Sequence, residues 1–290
     1  MPRRSLAILV AAVTTLFSWA MSVTAQTANS SLSAPPTQSF VYVGNYDSND
    51  VSAYRMDAVT GALSPVAGSP FATGAGPSSI VARPDGEYLF VASRLASSIS
   101  TYRIDSSGAL TKVSSLPFET DGNPRELAID QSGKYLYATI EDRDSISVFS
   151  IDASSGALIA VPGSPFPAGN RPSGVAVGAG DRFVFASHEA DDTLTFFVVN
   201  QKTGALTPTA DSAAQTGTYP GEIAVSPSGR ELYVANRMSG SISAFSIDPI
   251  RGSLTSVNGS PFGAVAYPGD LLATADGVNL FVGQLGVNGQ

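Results

Sequence analysis

The chain has 290 residues, 43% hydrophobic and 14% charged, enough to bury a full core, and its 28 glycines and 19 prolines favour many turns over long helices. A net charge of −8 argues against nucleic acid or an anionic membrane surface as partner, because both need a positive footprint. Without any cysteine there are no disulfides, and a single histidine cannot build the usual zinc sites, so stability must come from packing.

At the N-terminus, Arg3 and Arg4 precede an apolar run from Leu6 to Met21, and Val23-Thr24-Ala25 then offers small residues at the −3 and −1 positions of a cleavage site. Residues 1–25 are expected to be a signal peptide and the mature protein to be secreted or periplasmic; the run is too short for a comfortable span, so no membrane insertion is expected after cleavage. Removing two of the sixteen basic residues leaves the mature chain still more acidic. Residues 26–39, with "SAPPTQS", read as a flexible linker.

From residue 40 onward the chain repeats itself. The triplet "GAL" stands at Gly61, Gly108, Gly156 and Gly204 and "GSL" at Gly252, at intervals of 47, 48, 48 and 48 residues. Around each lies the same succession: a proline-led segment such as "GPSSIVARPDG", then "YLFVAS", then "SISTYRID", then "GALTKVSSLPF". Each is short, rich in Val, Ile, Tyr and Phe and bounded by turn residues, which predicts four strands per repeat. The second strands are expected to begin at Val41, Leu89, Leu136, Val184, Leu232 and Leu280.

A four-stranded sheet that is apolar on both faces cannot stand alone, and radial stacking covers both faces at once. The spacing therefore predicts an all-β propeller over residues 40–290, with about five to five and a half blades present. The last repeat stops after a second strand, which suggests C-terminal truncation and an open arc; the alternative is a closed five-bladed ring in which "PGDLLATADG" joins the first repeat.

"LYVANRMSGSISAFSID" (Leu232 to Asp248) resembles the YVTN-type repeat, and "SGALTKVSSLPF" with "GNPRELAIDQSGKYLYAT" resembles the 6-phosphogluconolactonase-type, or lactonase, family of seven-bladed propellers. The resemblance covers nearly all of residues 40–290 and implies hydrolysis of sugar or other small lactones. It also implies a family arginine at Arg125 and a family glutamate at Glu141. Where the family places a histidine after the arginine this chain has Glu126, and where it places an asparagine before the glutamate it has Ile140.

In an antiparallel hairpin the start of the first strand and the end of the second share one end of the sheet, and stacking gathers these ends around the central tunnel. There the repeats diverge and carry charge. Arg125, Glu141, His188 and Glu189 are the candidate catalytic residues, the carboxylates to activate water and the lone His188 to shuttle a proton; Arg94, Glu126, Glu222 and Arg237 are candidate substrate-binding residues. The acidic turns "NYDSND", "EDRDS" and "HEADD" read as solvated turns, so no metal or cofactor is expected. The partner is expected to be a small lactone or carbohydrate-like molecule and the protein a monomer. The competing reading is a non-catalytic secreted propeller that binds through the same rim.

Overall fold

The second strand of each middle repeat is buried from end to end, in Tyr88–Ser93, Tyr135–Ile140 and Phe183–His188, as it must be when neighbouring sheets cover both of its faces. The computed structural model describes residues 8–13, 23–26, 39–209 and 213–285, and in it the repeats form successive antiparallel sheets arranged as propeller blades. Blades 2 to 5 are complete. Their innermost strands are Pro77–Ala82, Pro124–Ile129, Pro172–Val177 and Pro220–Val225. Proline leads each one, a place where no ladder hydrogen bond is lost. Third strands follow at Ser98–Ile104, Ser145–Ile151, Thr193–Val199 and Ser241–Ile247. The predicted fourth strand is split in two. A segment such as Leu158–Ala160 and a two-residue one such as Phe166–Pro167 share the outer edge of the third strand.

Blade 1 holds Ser39–Asn45, Asp50–Met56, Leu63–Pro65 and Phe71–Ala72. Its inner edge pairs in parallel with Ile8–Val13, which pairs in turn with Val23–Gln26. These two strands fall in the segment expected to be a leader; most of that segment and nearly all of the expected linker lie outside the described residues. Pro268–Ala273 pairs with Leu280–Gln284 in a two-stranded blade 6 and not with Ser39–Asn45, so the alternative in which it joins the first repeat is not adopted.

The core lies between blades. Phe40 and Tyr42 of blade 1 pack with Ile80, Leu89 and Val91 of blade 2, and equivalent clusters fill each following gap. The repeated glycine belongs to this seam. Gly108, Gly156, Gly204 and Gly252 have φ between 71° and 86°. A Cβ there would stand 2.3 to 2.6 Å from the ring of Phe40, Tyr88, Tyr135 or Phe183 on the preceding blade, so both the turn and the packing demand glycine. Hydrogen bonds also cross the seams near the axis: Ser78 Oγ to the Pro124 carbonyl (3.0 Å), Ser173 Oγ to that of Pro220 (2.8 Å) and Ser187 Oγ to that of Gly221 (2.6 Å).

Candidate active site

Where the second strands end, consecutive blades present Arg94, Glu141, Glu189 and Arg237, and the innermost strand of blade 3 adds Arg125. The structure joins all five in one ion-pair network. Glu141 receives Arg94 through Nη2 and Arg125 through Nη1 at 3.5 Å; Glu189 receives Arg125 through Nη2 and Arg237 through Nη1 at 3.1 Å. Both glutamates are buried, as are Arg125 and Arg237. Buried carboxylates survive only with partners, and here each partner comes in part from another blade.

Two members escaped the sequence reading. Arg171 Nη2 reaches Glu141 Oε1 at 2.6 Å and Glu189 Oε2 at 3.6 Å, and the Tyr219 hydroxyl bonds Glu189. Both stand immediately before the recurring proline, a position that varies as Gly76, Asn123, Arg171, Tyr219 and Tyr267 while the proline stays. That variation was the available signal. Arg171 and Tyr219 have positive φ, 52° and 62°, and the acidic turns explain how they are held. Asp144 Oδ1 accepts the Arg171 backbone N–H and Asp192 Oδ1 that of Tyr219, each at 2.8 Å across a blade boundary. No group of three or more acidic or histidine side chains suited to a metal ion occurs among the described residues.

His188 is not part of the network. Its side chain is wholly buried, with Nε2 2.7 Å from Thr195 Oγ1 and the ring against Gly169, so it has no access to the mouth. The same register is filled by Asn45 and Asn236, which bond Ser52 and Ser243 in the same manner. The reason is the alternation of a strand: Glu189 turns to the mouth, and its predecessor turns into the blade. The proton-shuttle role expected of His188 therefore has no geometric basis.

Glu126 and Glu222 stand one position beyond the mouth on innermost strands. Glu126 Oε1 accepts from Ser79 Oγ at 2.6 Å. Burial first, then Glu126 of blade 3 and Asp270 of blade 6, raises the Glu222 carboxyl well above the ordinary carboxylate value, against the pull of Arg237 and Arg125.

Four guanidinium groups thus meet the two carboxylates of Glu141 and Glu189. Burial alone would raise the Glu141 carboxyl, but Arg125, Arg94 and Arg171 together hold it below the ordinary range. Arg237 is lowered to about 10, by burial first and by Arg125 second. Burial, followed by Glu189, raises the Tyr219 phenol. Such fixed donors can hold an anion or an oxygen that becomes one.

Residues 65–165 and 157–267 match the family described as Lactonase, 7-bladed beta-propeller, which is most of the chain. The chain belongs to this lactonase family. Among solved structures, the lactonase-family chain resembles a candidate 6-phosphogluconolactonase from Bacteroides uniformis (20% identity, TM-score 0.67, covering 81% of this chain and 71% of that one). It also resembles the periplasmic gluconolactonase of Pseudomonas aeruginosa (24%, TM-score 0.61, 80% and 66%). The hydrazine synthase of Kuenenia stuttgartiensis is similar too (15%, TM-score 0.62, 83% and 69%), so likeness of this kind speaks for the fold and not for a reaction. No curated protein matches the lactonase-family chain by sequence.

Proposed function

We propose that this lactonase-family propeller hydrolyses small lactones, sugar lactones among them, at the arginine-lined mouth. The observation that carries the reading is the convergence of Arg94, Arg125, Arg171 and Arg237 on Glu141 and Glu189. When water adds to a lactone carbonyl, the oxygen gains a full negative charge, and buried guanidinium groups already held in place stabilise it without reorganising. In this reading Arg125 and Arg237 face the oxyanion, while Glu141 and Glu189 position them. The leader-like N-terminus, together with a fold neighbour described as periplasmic, supports a secreted or periplasmic site of action.

Acid release from D-glucono-1,5-lactone, followed by titration at constant pH, tests this. Turnover above the spontaneous rate is expected, and Arg237→Ala should lower kcat/KM on the order of 100-fold, the usual cost of one oxyanion donor. A wild-type protein no faster than buffer, toward this and other small lactones, would overturn the reading. The burial of His188 away from the mouth favours one alternative, a binding module for anionic or carbohydrate-like molecules; gluconate binding without any turnover would select it.

A further inference from the structure

In blades 1, 3 and 5 the turn between the two outer segments follows one pattern. Gly68, Gly163 and Gly259 take φ of 85°, 89° and 86°, and the next residues, Ser69, Ser164 and Ser260, accept the backbone N–H of Ala53, Val148 and Ala244 in the middle of the third strand. Blade 2 departs from it. There "SSLPF" puts Ser115 in the glycine's place, without its positive φ, and Leu116 in the serine's place, so the hydroxyl acceptor is gone. Thr101 is the corresponding third-strand residue. Its carbonyl accepts the Val113 N–H at 2.9 Å, as those of Ala53, Val148 and Ala244 accept the N–H of Val66, Val161 and Val257. An antiparallel strand points the N–H and C=O of one residue to the same side, so the Thr101 N–H also faces the outer edge. The outer segments pair with Ser98 and Ile99 on one side of it and with Tyr102, Arg103 and Ile104 on the other, and leave Thr101 in the gap between them.

A groove of about 320 Å³ opens at this gap, between the outer segments of blade 2 and the start of the outer segment of blade 3. Ile99, Val113, Leu116, Phe118 and Leu158 form its apolar wall, and Leu116 is 77% exposed. Ser100, Thr101, Ser114 and Lys112 supply the polar lining, and no carboxylate lines the groove. Lys112 makes no ion pair among the described residues; its Nζ stands 6.0 Å from the centroid of the Tyr102 ring. Because Thr101 and the lips of the gap on both sides of it line the same space, the Thr101 N–H opens into the groove.

We propose that this groove is a binding site for small carboxylic acids with an apolar body, aryl-substituted acids among them. A carboxylate oxygen takes the place of the missing serine hydroxyl and accepts the Thr101 N–H, the Lys112 ammonium pairs with the charge, and the apolar body lies on the seam between blades 2 and 3. An edge N–H without its acceptor gains most from an incoming oxygen, and an oxygen that carries charge makes the stronger bond. A lining of an ammonium and hydroxyls without any carboxylate selects an anion over a cation. The volume is at the lower end of small-molecule sites, roughly 300–1,000 Å³, which fits a compact acid. This site lies at the outer edge of its blade, whereas the mouth is built at the innermost strands, and it is independent of the lactone-hydrolysis reading.

Calorimetry on the full protein with phenylacetate as the probe tests this. Binding with a Kd below about 1 mM is expected. Phenylacetamide should bind at least about fivefold more weakly, and Lys112→Gln should weaken phenylacetate to a similar degree. In a proton–nitrogen correlation spectrum the Thr101 amide should shift as phenylacetate is added. Ser115→Gly combined with Leu116→Ser rewrites the turn to the pattern of blades 1, 3 and 5; it should abolish binding while the urea midpoint stays at or above that of wild type, which separates loss of the site from loss of the fold. Arg237→Ala, at the mouth, should bind phenylacetate as wild type does. Absence of binding, an unmoved Thr101 amide, or binding retained by the double substitution overturns the proposal. Binding lost in Arg237→Ala assigns the acid to the mouth and overturns it too, and equal affinity for phenylacetamide overturns the assignment to acids.

Discussion

At His188, burial without a charged partner sets a pH dependence of stability. The ring shares a hydrogen bond with Thr195 and is lowered to about 4, chiefly by desolvation, against the weaker pull of Asp191, the Gly169 peptide and Asp144. In the unfolded chain the same ring titrates near its ordinary value of about 6.5. Between those two values the unfolded state binds the extra proton, so this contribution is whole above about pH 6.5 and is lost as pH falls toward 4, by roughly 3 kcal/mol in all. Urea midpoints measured from pH 7 to pH 4.5 should therefore decline, and in His188→Asn part of the decline should vanish while lactone turnover stays. Asparagine is the conservative choice because Asn45 and Asn236 already fill this register. An unchanged pH slope would show that the ring is not buried neutral. The charged mouth was legible residue by residue because charge appeared where packing positions stay apolar. Orientation was not legible at His188, since the residue that diverges there is the one facing inward.

In three of the blades the outer edge is held by a serine that recurs at the same place in the repeat. In "GSPF" of blades 1, 3 and 5, Ser69, Ser164 and Ser260 accept the backbone N–H of Ala53, Val148 and Ala244 at 2.8 to 2.9 Å. That N–H lies in the middle of the third strand, in the gap between the two short outer segments. The split fourth strand is thus a device that replaces ladder bonds with one side chain, which strand propensity alone could not predict. Ser164→Ala should leave the Val148 N–H without its acceptor and lower stability by about 1–2 kcal/mol. A urea midpoint equal to wild type would refute this. Activity should not change, because blade 3 meets the site at its other edge. Turn chemistry explains another gap in the sequence reading. The acidic turns looked merely solvated, yet Asp144 and Asp192 position Arg171 and Tyr219 on the next blade.

Across the whole molecule, stability passes from blade to blade. The period of 48 residues exposed this in the sequence, because a sheet apolar on both faces dictates stacked neighbours. How the first and last repeats are completed was harder to read, since strand pairing at an edge depends on which segment is at hand and not on the repeat. In a stacked array each seam contributes its own share of stability, so protection against hydrogen exchange should follow the seams. Tyr135–Ile140 is buried along its length, paired on both sides, and flanked by large apolar clusters. Leu280–Gln284 pairs only with Pro268–Ala273, its cluster is built on Ala224, Ala235, Ile242 and Leu271, and Val278 and Phe281 are 75% and 61% exposed. Amides of Leu280–Gln284 should therefore exchange first and those of Tyr135–Ile140 last, the latter near the global unfolding limit. Mass-resolved exchange on peptides covering these strands measures the order directly. Equal protection in blades 3 and 6 would mean that the array unfolds as one cooperative unit, and that the seam between blades 5 and 6 is as strong as those that build the mouth.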